Sequence, residues 1–334
     1  VQNSKTTMFQ AAFAGAFSGA FTRSVAQPLD VLKIRFQLQL EPIEQGSKYS
    51  SILQAVRSIV KEEGISTLWS GHIPAQLLSI SYGVIQFTTF EKLTQLCQRS
   101  DPQFYISNKH WVNFSSGAVA ASLATVASFP LDTVRTRLIA EQKTQKAYSG
   151  FINVFTCMIK NEGPAALFKG VVPTLGQIAP HTGIQFAVYK LLSESIFNRI
   201  DFFQRPIIGT STVESTMLAN LLAGSISGFV SKTVIYPFDL VKKRLQIQGF
   251  QQHRKGFGRQ MYCNGSIDCI KIIVIEEGFS GLYKGYWPSV LKAILVSALH
   301  FALYDEVKHF FTRFQQMEKN IYGIRTCKPR CKYF

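Results

Sequence analysis

The chain has 334 residues, 46% of them hydrophobic, and sets 36 Lys and Arg against 20 Asp and Glu for a formal net charge of +16. A balance of that sign admits a soluble protein that binds nucleic acid or a membrane protein with basic loops, and a mean hydropathy of +0.09 does not separate them. Six cysteines without a Cys-x-x-Cys pair or zinc-site spacing exclude a disulfide framework and a structural metal centre, and read as free thiols.

Residues 9–27 carry one charge, Arg23, in nineteen positions. Phe9, Phe13, Phe17 and Phe21 repeat every fourth residue, a ridge suited to lipid, while Arg23 lies around the helix on the face of Asp30. Gly15 and Gly19 have the spacing of close helix packing. Next comes Pro28-Leu29-Asp30-Val31-Leu32-Lys33-Ile34-Arg35, with Asp at +2, a base at +5 and Arg at +7 from the proline. Ile52, Leu53, Val56, Ile59 and Val60 then form the apolar stripe of a short helix, too charged to span and suited to a membrane surface. Glu63-Gly64 and Trp69-Ser70-Gly71 follow. Residues 71–90 are free of charge, and Pro74 fits the first turn of a helix.

The same order returns twice. Pro130-Leu131-Asp132-Thr133-Val134-Arg135-Thr136-Arg137 and Pro237-Phe238-Asp239-Leu240-Val241-Lys242-Lys243-Arg244 start 102 and 107 residues after the previous copy. Each is preceded by a long apolar stretch, residues 111–131 and 215–238, the latter with Gly224 and Gly228 at close-packing spacing. Each is followed by an apolar stripe (Phe151, Ile152, Phe155, Met158, Ile159; Ile267, Ile270, Ile273, Val274), by Glu162-Gly163 or Glu277-Gly278, and by Phe168-Lys169-Gly170 or Tyr283-Lys284-Gly285. Residues 170–189 and 285–304 complete six stretches of about twenty residues, long enough to cross a bilayer as helices. The fold expected is an all-α membrane protein, with six transmembrane helices in three tandem, pseudo-threefold repeats, each carrying a short surface helix. Charge confined between such stretches excludes a nucleic-acid-binding protein. No Walker loop, nucleophile elbow or ligand cluster points to an enzyme. Linkers are expected near residues 99–108 and 200–214, and a basic, disordered tail after about residue 315.

The paired proline and Glu-Gly motifs, in order and three times over, resemble the mitochondrial carrier family across nearly the whole chain. Repeats are expected at residues 1–105, 106–208 and 209–315, with a tail at 316–334. The resemblance implies a multi-pass transporter of the mitochondrial inner membrane, targeted by internal signals, with the surface helices and the proline motifs on the matrix side. It implies neighbouring lipids, cardiolipin among them, and no cofactor. Single-copy pseudo-threefold symmetry suggests a monomer.

Asp30/Lys33, Asp132/Arg135 and Asp239/Lys242 stand at equivalent helix ends, so each Asp can meet the base of a neighbouring repeat in a ring of ion pairs. Such a ring has a formed and a broken state, as an alternating-access gate requires. Pro28, Pro130 and Pro237 are expected to bend these helices. Gln37 and Gln246, at +9 from their prolines, resemble the family's bracing glutamines, and Ile139 occupies the third position. For the opposite gate, Tyr304, Asp305 and Lys308 match the family's motif, whereas Glu91 is followed by Thr94 where a base is expected, and Tyr189-Lys190 reverses the acid. The cytoplasmic ring is therefore expected to be weak and the resting protein outward-open.

Arg23, Lys232 and Lys292 are charges inside the spans, costly there unless they face water or a partner. Three cations on one cavity predict a small anion with more than one charge. Polar side chains at symmetric places join them as candidates: Tyr82, Gln86, Gln177, His181, Thr182, Gln185 and His300. Their amides and rings suit a heterocycle. Within the family, Gly71-His72-Ile73-Pro74-Ala75-Gln76 and Ser231-Lys232-Thr233 are similar to carriers of thiamine pyrophosphate, which implies that compound as the substrate, exchanged for nucleotides. The residues themselves leave a nucleoside diphosphate equally open, since both carry a heterocycle and a pyrophosphate.

Overall fold

A computed structural model describes residues 2–39, 48–141, 150–203, 212–249, 262–299 and 303. The regular elements among them are all helical. In chain order they are α1 (Gln2–Leu38), α2 (Ile52–Glu63), α3 (His72–Ser100), α4 (Pro102–Ser107), α5 (Lys109–Ala140), α6 (Phe151–Glu162), α7 (Val171–Phe203), α8 (Thr212–Gln246) and α9 (Ser266–Gly281). A tenth, α10, covers Tyr286–Leu299. The chain forms two compact units, Val31–Val290 and a smaller one of Val1–Asp30 with Leu291–Phe334.

The three proline motifs lie inside α1, α5 and α8, which run through Pro28, Pro130 and Pro237. The Glu-Gly pairs stop the surface helices. Gly64 and Gly163 close α2 and α6 at φ +86° and +85°, and Gly278 breaks α9 at φ +72°. That left-handed backbone is one only glycine adopts without strain. Each surface helix buries a pair one turn apart, Ala55 and Ile59, Val154 and Met158, or Cys269 and Ile273. Leu53, Ile152 and Ile267, part of the apolar stripes read from sequence, are instead 72–77% exposed. An apolar residue turned outward at the same place in three helices suits a membrane surface.

The arginines at +7 join the repeats in a cycle. Arg35, fully buried, grips Glu63 through both terminal nitrogens at 2.5 and 2.8 Å, and its Nε donates to the Ile139 carbonyl at 3.2 Å. Arg137 does the same with Glu162 and the Gln246 carbonyl, 3.2 Å away. Arg244 holds Glu277 at 2.5 and 2.9 Å and the Gln37 carbonyl at 3.3 Å. Every acceptor carbonyl lies nine residues past its own proline, where a helix runs out of internal donors. Burial pushes the Glu162 carboxyl up, but hydrogen bonds and charge from Arg137 and Lys169 outweigh it and hold the group below the usual glutamate range.

Glycines sit where the backbones approach most closely. A Cβ at Gly71, Gly170 or Gly285 would come within 3.2, 3.0 or 2.8 Å of the carbonyl of Arg135, Lys242 or Lys33, and all three glycines have positive φ. By contrast, a Cβ at Gly15, Gly19, Gly224 or Gly228 meets nothing within 4 Å. That holds among the described residues only, where all four glycines are half-buried.

The first expected linker is partly helical, since Asp101 accepts from the Phe104 N–H and starts α4. The second narrows, with α7 reaching Phe203 and α8 beginning at Thr212. The tail lies outside the described residues. Among those described, only α5 has a stretch apolar enough to be read as a span from hydropathy alone, with a mean of 1.4. The reason is visible in α3, where Gln76, Ser79, Ser81, Tyr82 and Gln86 dilute an uncharged stretch with polar groups.

Candidate functional site

Two ion pairs tie the proline motifs together in the larger unit. Lys33 meets Asp239 at 3.3 Å, and Lys242 meets Asp132 at 2.9 Å. Asp132 has a second cation. Lys243 donates to both of its oxygens at 3.0 and 3.2 Å, and also to Thr136 Oγ1 and Gln246 Oε1 at 2.9 and 3.0 Å. Gln246 in turn donates to Asp132 at 2.9 Å. Lys243 was not singled out from sequence, because the matching positions hold Ile34 and Thr136 and show no recurring charge. Gln37 behaves differently from Gln246, donating to the Tyr236 hydroxyl at 3.1 Å, and that hydroxyl donates to the Lys284 carbonyl at 2.7 Å. Arg135 is buried. In the smaller unit, Asp30 is paired with Lys292 at 2.6 Å, and Arg23 is half-buried.

Above Asp239 lies a cavity of about 390 Å³, walled by Tyr82 and Gln86 of α3, Ala121 of α5, Gln177, Ile178, His181 and Thr182 of α7, and Lys232, Ile235 and Asp239 of α8. Residues 177, 178, 181 and 182 share one helical face, which is how α7 supplies four of the walls. Six candidates read from sequence therefore meet here: Tyr82, Gln86, Gln177, His181, Thr182 and Lys232. Gln185, one turn further along α7, is exposed and is not among the lining residues. Glu91 is exposed on α3 and accepts from Gln95 at 3.2 Å. His300, Tyr304, Asp305 and Lys308 lie outside the described residues. A second cavity of about 490 Å³ shares Gln86, Ala121, Ile178 and Thr182 with the first.

The first cavity thus combines a lysine, Lys232, with Asp239, a carboxylate that also pairs with Lys33 of another repeat. Comparison with known proteins decides the family. The model for "mitochondrial carrier protein" matches residues 4–101, 107–199 and 213–315. The chain belongs to the mitochondrial carrier family. It is a transporter and not an enzyme. Its relatives include proteins named mitochondrial thiamine pyrophosphate carrier from Homo sapiens, 42% identical over 302 residues (90% of this chain and 91% of the relative), and from Bos taurus, 42% identical over 305 residues (90% and 92%). A protein named mitochondrial thiamine diphosphate carrier 1 from Zea mays is 35% identical over 312 residues, covering 89% of this carrier and 92% of its own length.

The Arg–Glu pairs were only half legible beforehand. Both partners recur in every repeat, the arginine seven residues past the proline and the glutamate just before the glycine, although 25–33 residues separate them, and that joint recurrence was the available signal. Lys292 stands at +7 from Gly285, where the other repeats have the uncharged Leu78 and Gln177. Its partner Asp30 could not be read from spacing.

Proposed function

We propose that this carrier imports thiamine pyrophosphate across the mitochondrial inner membrane by alternating access, in exchange for nucleotides. The observation that carries the reading is the double position of Asp239, which lines the Lys232 cavity and also pairs with Lys33. An anion drawn to Lys232 arrives beside the carboxylate that holds the ion pair, so binding and gate opening act on one group. Asp30, Lys33, Asp132, Arg135, Asp239 and Lys242 form the matrix gate, with Gln246 bracing Asp132. The formed Lys33–Asp239 and Lys242–Asp132 pairs support an outward-open state, as does the weak motif expected for the opposite gate. Tyr82, Gln86, Gln177, His181 and Thr182 contact the substrate, with Arg23 and Lys292 as further cations. The names of the relatives support thiamine pyrophosphate as the anion, and the carrier works as a monomer among inner-membrane lipids.

The test is exchange in proteoliposomes. Labelled thiamine pyrophosphate enters vesicles loaded with nucleotide, and unlabelled thiamine pyrophosphate competes better than ADP. Lys232→Ala raises KM by about 10- to 100-fold, the worth of one charge-assisted contact, with little change in melting temperature. Equal or better competition by ADP makes the substrate a nucleotide. A normal KM in Lys232→Ala removes the cavity as the site.

A further inference from the structure

The two adjoining cavities differ in chemistry. The first has Lys232 and Asp239 on its walls. The second has no charged Asp, Glu, Lys or Arg among its lining residues, and its surface is mostly Phe114, Phe186, Gly117 and alanines. Small residues let a flat ring approach the backbone, and aromatic rings on the wall offer it stacking partners. In this apolar lobe the Oδ1 of Asn113 is shielded from solvent and has no hydrogen-bond partner among the described residues. A shielded carbonyl acceptor without a donor is costly, and a ligand that brings an N–H relieves it. His110 of α5 and Thr182 of α7 also line this lobe.

We infer that the Asn113 lobe receives the ring end of the substrate, an amino-substituted planar nitrogen heterocycle whose exocyclic N–H donates to Asn113 Oδ1, while the phosphates lie at Lys232. The shared wall of Gln86, Ile178 and Thr182 makes the two lobes one continuous site for a molecule with a charged end and an uncharged ring. The inference rests on the proposed function for the anion's place, and it adds a selectivity: a ring with a keto oxygen in place of the amino group sets acceptor against acceptor and is rejected.

The experiment measures competition for exchange by two matched pairs, thiamine pyrophosphate against its 4′-oxo analogue oxythiamine pyrophosphate, and ADP against IDP. Wild-type carrier favours the amino member by at least about tenfold. Asn113→Ala removes the preference, Asn113→Asp, which keeps an acceptor, retains it, and competition by methylenediphosphonate, which has no ring, is the same in all three. The wild-type ratio needs no variant, so a poorly folded Asn113→Ala leaves the proposal testable. An absent preference in wild type, or one that survives in Asn113→Ala, overturns the lobe's assignment. If thiamine pyrophosphate fails to compete while ADP outcompetes IDP through Asn113, the substrate reading falls and the lobe stands. If thiamine pyrophosphate exchanges with an amino preference independent of Asn113, the reverse holds.

Discussion

Replacing Arg137 by alanine isolates one link in the cycle between repeats. The guanidinium is fully buried and its partner Glu162 is 18% exposed. It also donates to the carbonyls of Gln246 and Gln248 at 3.2 and 3.3 Å. Truncation removes this donor from the Gln246 carbonyl, leaves the Gln248 carbonyl to Lys169 at 2.9 Å, and leaves a carboxylate held by Lys169, 3.2 Å away. Breaking a buried pair from one side costs about 3–5 kcal/mol. Lys169 and the partial exposure of Glu162 place this case at the lower end, about 3 kcal/mol, which corresponds to a fall of about 6–12 °C in melting temperature. Unfolding in detergent, followed with a thiol-reactive dye that reports the buried Cys263 and Cys269, reads that number. The double variant Arg137→Ala/Glu162→Gln recovers part of the loss, because no under-paired carboxylate remains. A shift below about 2 °C in the single variant, or a double variant worse than the sum of its parts, refutes the reasoning.

Other expectations follow from the same geometry. Because the folded Glu162 carboxyl is held below its ordinary value, its contribution to stability is present above about pH 4.3 and is lost as pH falls through the folded value; a melting curve against pH steepens there in wild type and flattens in Arg137→Ala. Gly170→Val sets a side chain at φ +91° with its Cβ 3.0 Å from the Lys242 carbonyl, and costs about 1–3 kcal/mol, read in detergent melts. The control Gly183→Ala, with nothing within 4 Å of a Cβ, leaves the melting temperature unchanged or higher. Lys243→Met leaves Asp132 with Lys242 and Gln246, removes charged hydrogen bonds worth about 1.5 kcal/mol, and lowers the melting temperature by about 3–6 °C; an unchanged melt makes Lys243 a bystander.

What could be read beforehand was whatever the chain repeats. The three proline motifs, the glycine stops and the six apolar stretches recur in the same order, so triplication itself acted as an alignment. Tyr82, Gln86, Gln177 and His181 were legible because they stand at matching offsets from the glycines that open the second helix of each repeat. What broke the symmetry was hidden. Lys243 has no charged counterpart, Lys292 pairs with Asp30 across the sequence, and Asn113 gave no sign of an unmet acceptor.

The direction of the arginine contacts has a consequence for how the chain comes to be whole. Repeat one reaches to repeat two, two to three, and three back to one through Arg244 and the Gln37 carbonyl. The circuit does not run through the peptide links between repeats. A chain cut in one inter-repeat connection, or rejoined in a new order, keeps every link of the circuit. A fragment of two repeats keeps one and leaves an arginine and a row of carbonyls with nowhere to go. Completeness is thus judged by closure, and a carrier shortened by a third is left with a helix-end carbonyl that no arginine reaches.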